Sequence, residues 1–210
     1  MSTADLTWLR WVRRLQSISQ AGLTYADDAF DRARYEEIRG IASEIAAVAA
    51  DLSPGSIAGA FAADFGHPTP KVDVRGAVFR GGRVLLVRER VDGGWTLPGG
   101  WADPGDSPGM TVAREVREES GYRVTPTRLV AVHDRDRHNY PPMAYAVYKL
   151  FFLCELVEHS PSSSPDHEVD AVDWFDPHRP PPLSTGRVTA EQLELVAGYH
   201  DDPSRTPDFD

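Results

Sequence analysis

Three glutamates in one short stretch carry the clearest chemistry in this sequence. The stretch covers residues 98–122 and reads PGGWADPGDSPGMTVAREVREESGY. Its second half, about residues 108–120, has helical character, and residues three and four apart on a helix share a face. Glu115 is therefore expected beside both Glu118 and Glu119, where three anions repel one another. A hard divalent cation would relieve this repulsion, because Mg²⁺ takes oxygen ligands and keeps waters for phosphate oxygens.

Paired glutamates on a helix are usually a solvated face, so the neighbouring residues decide between the two interpretations. The fixed residues around the glutamates resemble the Nudix box, written GX5EX7REUXEEXGU, where U is a bulky apolar residue. The chain departs from this long pattern at Asp106, where the box has glutamate. The charge is kept and the side chain is one methylene shorter, so we expect an effect on the geometry of the loop–helix junction. The matching positions are Gly100, Arg114, Glu115, Val116, Glu118, Glu119, Gly121 and Tyr122.

The resemblance implies a fold, a reaction and a metal. A Nudix domain is a mixed β-sheet sandwiched between helices, and its box forms a loop, a helix and a loop. The implied reaction is hydrolysis of a diphosphate bond with Mg²⁺, or with Mn²⁺, which also suits oxygen ligands. The implied ligands are the side chains of Glu115, Glu118 and Glu119 and the backbone carbonyl of Gly99. Arg114 is implied to orient a box carboxylate, and a surface ion pair is its alternative.

The likeness extends to one Nudix subfamily that has a helical N-terminal extension. This subfamily includes enzymes described as CDP-choline pyrophosphatases and ADP-ribose pyrophosphatases, and relatives with the extension are dimers. We therefore expect hydrolysis of a nucleoside diphosphate linked to another group, with release of a nucleoside monophosphate. Two alternatives stay open, a nucleotide-ligand sensor without hydrolysis and an enzyme that processes RNA ends. The segments that carry the likeness are residues 22–25, 70–76, 95–101, 138–142, 148–149 and 151–152.

A general base is expected outside the box as well as within it. Nudix enzymes often place a carboxylate on a loop before a strand that ends in aromatic residues, and here Glu168 precedes Trp174 and Phe175. Glu119 is the competitor, because a box glutamate is the base in some relatives. The alternative for Glu168 is a solvated loop carboxylate.

Six polar residues are candidate substrate contacts. Three lie on predicted strands that should flank the phosphates, and each could equally be a strand-edge charge in water. The other three lie in a loop between two β segments, where binding residues concentrate. The strand residues are Arg75, Arg88 and Lys149, and the loop residues are His138, Asn139 and Tyr140.

Composition limits the partners and the compartment. The 210 residues carry a formal net charge of −10, which disfavours broad binding to nucleic acid phosphates. The one cysteine, Cys154, excludes an intrachain disulfide and fits a reducing cytoplasmic compartment. It lies in an apolar run, so we expect a small core residue. No apolar run of about 18 residues is present, so no membrane span is expected.

The first 66 residues are expected to form a small all-α domain. Trp8, Trp11, Leu15 and Ile18 predict an apolar stripe on a helix over residues 4–21 that stops at Gly22. A second helix is predicted from a cap at Asp31 to about Leu52, ended by Pro54 and Gly55. Its three-four apolar spacing fits either a hairpin packed on the main domain or a homodimer surface.

Residues 67–210 are expected to form an α+β domain. A half-buried strand is predicted over residues 72–78, followed by a turn at Gly81 and Gly82 and a returning strand over 84–87. Further β segments are predicted over 122–132, 144–156 and 169–175, and a closing helix over 189–199 with Leu193 and Val196 facing inward. Strands, one central helix, more strands and a terminal helix indicate the α+β class.

Overall fold

A computed structural model describes residues 3–50, 54–64, 66–141, 143, 146–158, 160–161 and 167–210. The chain divides into two compact units, Met1–Pro70 with Pro142–Tyr145, and Lys71–Pro141 with Ala146–Asp210. The domain boundary between residues 66 and 67 stays a prediction.

The described part of the first unit is helical, with α1 (Thr3–Tyr25), α2 (Ala29–Ala50) and α3 (Pro54–Ala63). The prediction that α1 stops at Gly22 is wrong, because the helix continues to its end at Tyr25. A β-carbon at Gly22 would collide with the ring of Tyr35 on α2. This glycine therefore permits close packing of the two helices instead of ending one of them.

The boundaries of α2 and α3 also correct the sequence prediction. The Oδ1 atom of Asp28 accepts hydrogen bonds from the amides of Phe30 and Asp31 at 2.9 and 3.0 Å. Asp28 therefore caps α2, and the predicted cap Asp31 lies in its first turn. The predicted end near Leu52 lies outside the described residues. Pro54 begins α3, as its fixed φ suits the first turn of a helix.

The apolar stripe predicted on α1 is only partly buried. Trp11 and Ile18, seven residues apart, are 53% and 49% exposed. On α2, Ile41 and Val48 have the same spacing and are 45% and 87% exposed. Helices α1 and α2 thus each present apolar side chains to solvent at heptad spacing.

One mixed sheet forms the described second unit. Its strands are β1 (Lys71–Arg80), β2 (Arg83–Glu89), β3 (Trp95–Thr96), β4 (Val124–Asp134), β5 (Val147–Leu156), β6 (Val169–Phe175) and β7 (Asp208–Phe209). They lie in the order β3-β2-β1-β5-β4-β7, and β6 pairs with β2. β1 is parallel to β5 and antiparallel to β2. The positive φ angles of Gly81 and Gly82, 59° and 74°, form the predicted turn between β1 and β2.

Helices α4 (Pro108–Ser120) and α5 (Ala190–Asp201) contribute to two apolar clusters around the sheet. The first cluster contains Leu193 and Val196 of α5, which confirms that both residues face inward. The second contains Val112 and Val116 of α4, together with Cys154. Cys154 is a buried core residue as predicted, and burial raises the pKa of its thiol to about 12.

The prediction of a half-buried β1 is wrong. Val74 and Val78 pack in the cluster with α4, while Ala77, of the opposite parity, packs in the cluster with α5. Asp73 and Arg75, which share the parity of Ala77, are also buried. The alternation of polar and apolar residues therefore marks a buried polar group and not a solvated face.

Three short elements have no counterpart in the sequence prediction. They are β3, β7 and a 3-10 helix over Arg135–Arg137, each only two or three residues long. Periodicity cannot reveal elements of this length. The β segment predicted from Ala144 begins at Val147 within the described chain, and Ala144 itself lies outside it. Across the described ranges, no helix is both long and apolar enough to span a membrane.

Candidate active site

Helix α4 is fixed at both ends and along one face. Ser107 is its N-cap and accepts from the amide of Met110, and Gly121 closes the helix in the left-handed conformation at φ 75°. A β-carbon at Gly76 of β1 would lie 2.6 Å from Val116, so this glycine lets the helix lie close to the strand. The predicted helix over residues 108–120 is confirmed.

The Gly99–Gly100 turn, the segment Leu97–Gly100 that follows β3, lies directly against β1. The amide of Gly76 donates to the carbonyl of Pro98 at 2.8 Å, and that of Val74 donates to the carbonyl of Gly100 at 2.9 Å. Gly99 has a φ of 148°, and a β-carbon there would collide with the carbonyl oxygen of Val74. Only glycine fits this close approach of two backbones.

Two of the three box glutamates meet this turn. The amide of Gly99 donates to Oε2 of Glu119 at 2.8 Å. A β-carbon at Gly100 would lie 2.7 Å from Oε2 of Glu115, so the carboxylate of Glu115 fills the space that this glycine leaves. The structure therefore brings Glu115 and Glu119 to the same turn, and their role as metal ligands with the Gly99 carbonyl stays a prediction.

Burial disfavours the ionised forms of Glu115 and Glu119. Burial raises the pKa of Glu119 to about 8; Arg75 and the Gly99 amide oppose this shift, while Glu89 and Glu115 add to it. Burial also raises the pKa of Glu115, against the attraction of Arg114. An extra positive charge at this place would stabilise both ionised carboxylates.

Arg114 of α4 contacts four carboxylates, two on α4 itself and two in the loop before it. Its Nη1 atom lies 2.7 Å from Glu115 and 3.1 Å from Glu118. Its Nε lies 3.4 Å from Asp106 and its Nη2 lies 3.2 Å from Asp103. Asp106 thus still reaches Arg114 despite its shorter side chain. The Arg114 side chain is 29% exposed, so these ion pairs are partly screened by water.

The donor set fits a divalent cation in its chemistry. The described residues contain no group of three or more His, Cys, Asp or Glu side chains arranged to hold a metal ion, and Glu118, 40% exposed, points toward Arg114. Glu119 is a buried carboxylate at this place, and burial together with two neighbouring carboxylates raises its pKa. Such an anion, set against a backbone turn, suits a hard cation with oxygen ligands.

A buried polar group on β1 and β5 adjoins this turn. Both oxygens of Asp73 accept from Arg75, at 2.9 and 2.7 Å, and Oδ1 also accepts from Lys149 at 2.6 Å. Burial opposes ionisation of Asp73, but the two cations outweigh it and lower its pKa to about 2. Burial lowers the pKa of Lys149 to about 7, and the nearby Arg75 and Arg135 add to this shift against the attraction of Asp73.

Lys149 also connects this group to the predicted substrate loop. Its Nζ lies 5.3 Å from the centre of the Tyr140 ring. The Tyr140 hydroxyl donates to Gln192 of α5 and lies 3.3 Å from the carbonyl oxygen of Arg187. The structure therefore brings Tyr140, Lys149 and Arg75 into one region, and their contact with a substrate stays a prediction.

The remaining loop residues lie toward the ends of α5 and β7. His138 stacks on His133, with ring centres 4.1 Å apart, and its Nε2 lies 3.3 Å from Asp210. Asn139 is exposed and hydrogen-bonds to Glu191 at the start of α5. These contacts anchor the loop. Contact of His138 and Asn139 with a substrate stays a prediction.

Arg88 and Glu168 lie together at the β2–β6 edge. Arg88 pairs with Asp170 at 2.6 Å at the surface. Glu168 is exposed, and its carbonyl accepts from the amide of Arg90. The role of Glu168 as a base stays a prediction.

Sequence reasoning did not single out Asp73 or Glu89. Glu89 is 4% exposed, lies 3.4 Å from Arg187 and acts electrostatically on Glu119. A signal was present for Asp73, since a carboxylate and a guanidinium two residues apart on one strand share a face. Glu89 follows four apolar residues of β2 and an arginine, and nothing in its spacing distinguishes it from a strand-end charge.

Comparison with known proteins identifies the family of the chain. Residues 7–61 match a family described as "UDP-X-like, N-terminal oligomerisation domain", and residues 69–197 match the NUDIX domain. A protein of Bacillus subtilis (strain 168) named "Putative ADP-ribose pyrophosphatase YjhB" is 39% identical over 210 residues, with 100% of both chains covered.

Two crystal structures share both sequence and fold with the chain. One, of a UDP-X diphosphatase, has 30% identity and a TM-score of 0.62 and covers 98% of this chain and 99% of its own. The other, of an ADP-ribose pyrophosphatase from Streptococcus suis 89-1591, has 39% identity and a TM-score of 0.61. It covers 68% of this chain and 100% of its own. The predicted fold is thus confirmed, and the chain belongs to the Nudix hydrolase family as a Nudix pyrophosphohydrolase.

Proposed function

We propose that this enzyme uses a divalent cation to hydrolyse the diphosphate bond of a nucleoside diphosphate linked to a second group. The products are a nucleoside monophosphate and the phosphorylated second group. The observation that carries the proposal is the meeting of Glu115 and Glu119 at the Gly99–Gly100 turn. Relatives named for ADP-ribose and for UDP-X support this substrate class. ADP-ribose is the leading candidate, and CDP-choline stays a candidate from the subfamily resemblance.

Glu115, Glu118 and Glu119 would hold the cation together with the carbonyl of Gly99. When bound, a divalent cation neutralises diphosphate charge and lowers the pKa of a coordinated water, and Mg²⁺ or Mn²⁺ suits this donor set. Arg114 keeps Glu115 and Glu118 oriented through its Nη1 contacts. Release of Glu118 from Arg114 would let all three carboxylates face one ion.

The chain must also accept the proton of the attacking water. A water oxygen attacks one phosphorus, the bridging P–O bond breaks, and the water proton passes to a carboxylate. Glu168 and Glu119 remain the two candidates for this base. Normal turnover in a Glu168→Gln variant would exclude Glu168 and leave Glu119.

The substrate contacts are proposed on one side of the turn. Tyr140 and Lys149 lie together there, and His138 and Asn139 continue the loop of Tyr140. Lys149 is 2% exposed and bonds to Asp73 at 2.6 Å, so it would have to leave that partner to reach a phosphate. Arg88, paired with Asp170 at the surface, would have to leave that partner to reach a phosphate.

A homodimer is proposed through the first unit. Its support is the exposed apolar spacing on α1 and α2 and the match to a family described as an oligomerisation domain. A dimer would cover the side chains of Trp11, Ile18, Ile41 and Val48. This favours the dimer-surface interpretation of α2 over a hairpin that only packs on the main domain.

A product assay tests the proposed reaction. The panel is ADP-ribose, CDP-choline, a UDP-sugar, NADH, dinucleoside polyphosphates, nucleoside triphosphates and capped RNA, each with Mg²⁺ and with EDTA. We expect one nucleoside diphosphate conjugate to be preferred, with turnover abolished by EDTA and in Glu118→Gln. Glu155→Gln, an exposed carboxylate on β5, is the matched control and should retain full turnover. Preference for capped RNA, or silence across the panel from folded, metal-loaded protein, would contradict the proposal.

A further inference from the structure

Arg75 is a buried residue whose guanidinium is paired with groups of β1 and of the Gly99–Gly100 turn. Its Nε and Nη2 donate to the two oxygens of Asp73 at 2.9 and 2.7 Å, and its Nη1 donates to the carbonyl of Leu97 at 3.2 Å. The side chain is 0% exposed. A ligand arriving from solution would find this guanidinium covered and already paired.

The bond to Leu97 completes a row of contacts along the Gly99–Gly100 turn. The Arg75 side chain holds the carbonyl of Leu97, and the amides of Gly76 and Val74 hold the carbonyls of Pro98 and Gly100. The amide of Gly99 is held by Glu119. These neighbours restrict the orientation of the Gly99 peptide groups, whose carbonyl is the proposed backbone ligand.

We propose that Arg75 is a positioning residue for the Gly99–Gly100 turn, fixed in place by Asp73, and not a substrate contact. The inference rests on the proposed function, because it assigns the turn and Glu119 to the binding of a divalent cation. It replaces the sequence-based expectation that Arg75 contacts phosphate.

Asp73 makes the arrangement specific for arginine. Its two oxygens accept hydrogen bonds from Nε and Nη2 of Arg75. This bidentate contact fixes the orientation of the planar guanidinium, so that Nη1 donates to the carbonyl of Leu97. Lys149 adds a bond to the same carboxylate at 2.6 Å and holds Asp73 from β5. Lysine in place of Arg75 keeps the charge but cannot form the two-pronged contact and the bond to Leu97 together.

The test is Arg75→Lys in the full chain, with Arg83→Lys as its matched control. Arg83 is an exposed residue at the start of β2. Mn²⁺ binding without substrate is followed by the electron paramagnetic resonance signal of free Mn²⁺. Loss of an outer support of a metal site lowers metal affinity about 10–100-fold, and we expect a loss of this size in Arg75→Lys and none in Arg83→Lys.

Two further readouts separate positioning from substrate contact. Hydrogen–deuterium exchange of the metal-free protein should rise in peptides that cover residues 97–101, and stay unchanged in α5. At saturating Mn²⁺, the KM of the preferred substrate should stay within about twofold of the wild-type value. Both follow if Arg75 acts on the turn, because a substrate contact would raise KM and leave exchange unchanged.

Each outcome decides the proposal. Unchanged Mn²⁺ affinity with a raised KM would overturn it and restore Arg75 as a substrate contact. If Arg75→Lys does not fold, Asp73→Asn gives the same exchange readout, and protection of residues 97–101 equal to wild type would also overturn it. Failure of the proposed function is distinct, since wild-type protein would then neither bind Mn²⁺ nor hydrolyse the panel, whatever the exchange shows.

Discussion

Replacing Asp73 with Asn removes the one carboxylate that Arg75 and Lys149 share. The carboxylate accepts three hydrogen bonds of 2.9, 2.7 and 2.6 Å from these cations. Asn has the same shape, so no cavity opens, but its amide nitrogen cannot accept a hydrogen bond. Removing one partner of a buried ion pair costs about 3–5 kcal/mol. We therefore expect the free energy of unfolding at pH 7 to fall by about that amount, a large share of the ~5–15 kcal/mol of a typical protein.

The same carboxylate should make the stability depend on pH. Burial raises the pKa of Asp73, but Arg75 and Lys149 outweigh it and lower the value from 3.8 to about 2. Because the folded-state pKa lies below the unfolded one, the stabilisation is present above the unfolded pKa and is lost as pH falls through the folded pKa. The difference corresponds to about 2 kcal/mol, of which about 1 kcal/mol disappears between pH 5 and pH 3.

Urea unfolding of the full chain at pH 7, 5 and 3 measures both effects. Asp170→Asn is the matched control, because it removes the same charge from a surface pair with Arg88 at 2.6 Å and should change stability little. The reasoning is refuted if Asp73→Asn costs less than about 1 kcal/mol at pH 7. It is also refuted if the gap between wild type and Asp73→Asn stays constant from pH 5 to pH 3.

Three further predictions concern other parts of the chain. Gly99 has a φ of 148° and lies against the carbonyl of Val74, so Gly99→Ala should destabilise the protein by about 1–3 kcal/mol and abolish turnover. Gly109 has open space around it, so Gly109→Ala should leave stability and turnover unchanged, as measured by thermal unfolding and the product assay. Trp11→Glu should convert a dimer to monomer in light scattering at matched concentration, while Arg10→Glu on the exposed side of α1 should not; dimers from both would contradict the proposed surface. Cys154 should resist iodoacetamide at pH 8 until urea unfolds the chain, because burial raises its pKa to about 12; rapid labelling of folded protein would contradict this.

Helix α4 and the placement of its carboxylates could be predicted because the residues that determine them are close together in the sequence. The cap Ser107, the terminal glycine Gly121 and apolar residues on one face define α4 within residues 107–121. The spacing of Glu115 and Glu119 then places both on the side that meets the turn. The same locality explains why Leu193 and Val196 were predicted correctly as inward residues of α5.

The spacing of Asp73 and Arg75 is a local signal, but the burial of this pair and its contact with Lys149 could not be predicted, because they depend on residues distant in the sequence. Asp73 and Lys149 are adjacent only after β1 and β5 pair in parallel. The sequence of either strand alone does not determine the register of that pairing. Alternation on β1 therefore indicated a solvated face where the fold supplies ionic partners. Gly22 is a similar case, because its partner Tyr35 lies on another helix, and a glycine near a helix end otherwise predicts termination.

The central claim is that the carboxylates gathered at the Gly99–Gly100 turn bind a divalent cation that is required for cleavage of a diphosphate. The most direct measurement is Mn²⁺ binding and ADP-ribose turnover on the same samples of wild type, Glu119→Gln and Glu155→Gln. We predict that Glu119→Gln loses affinity and turnover together, by at least about a hundredfold, while Glu155→Gln matches wild type. Retained Mn²⁺ affinity and turnover in folded Glu119→Gln would contradict the account.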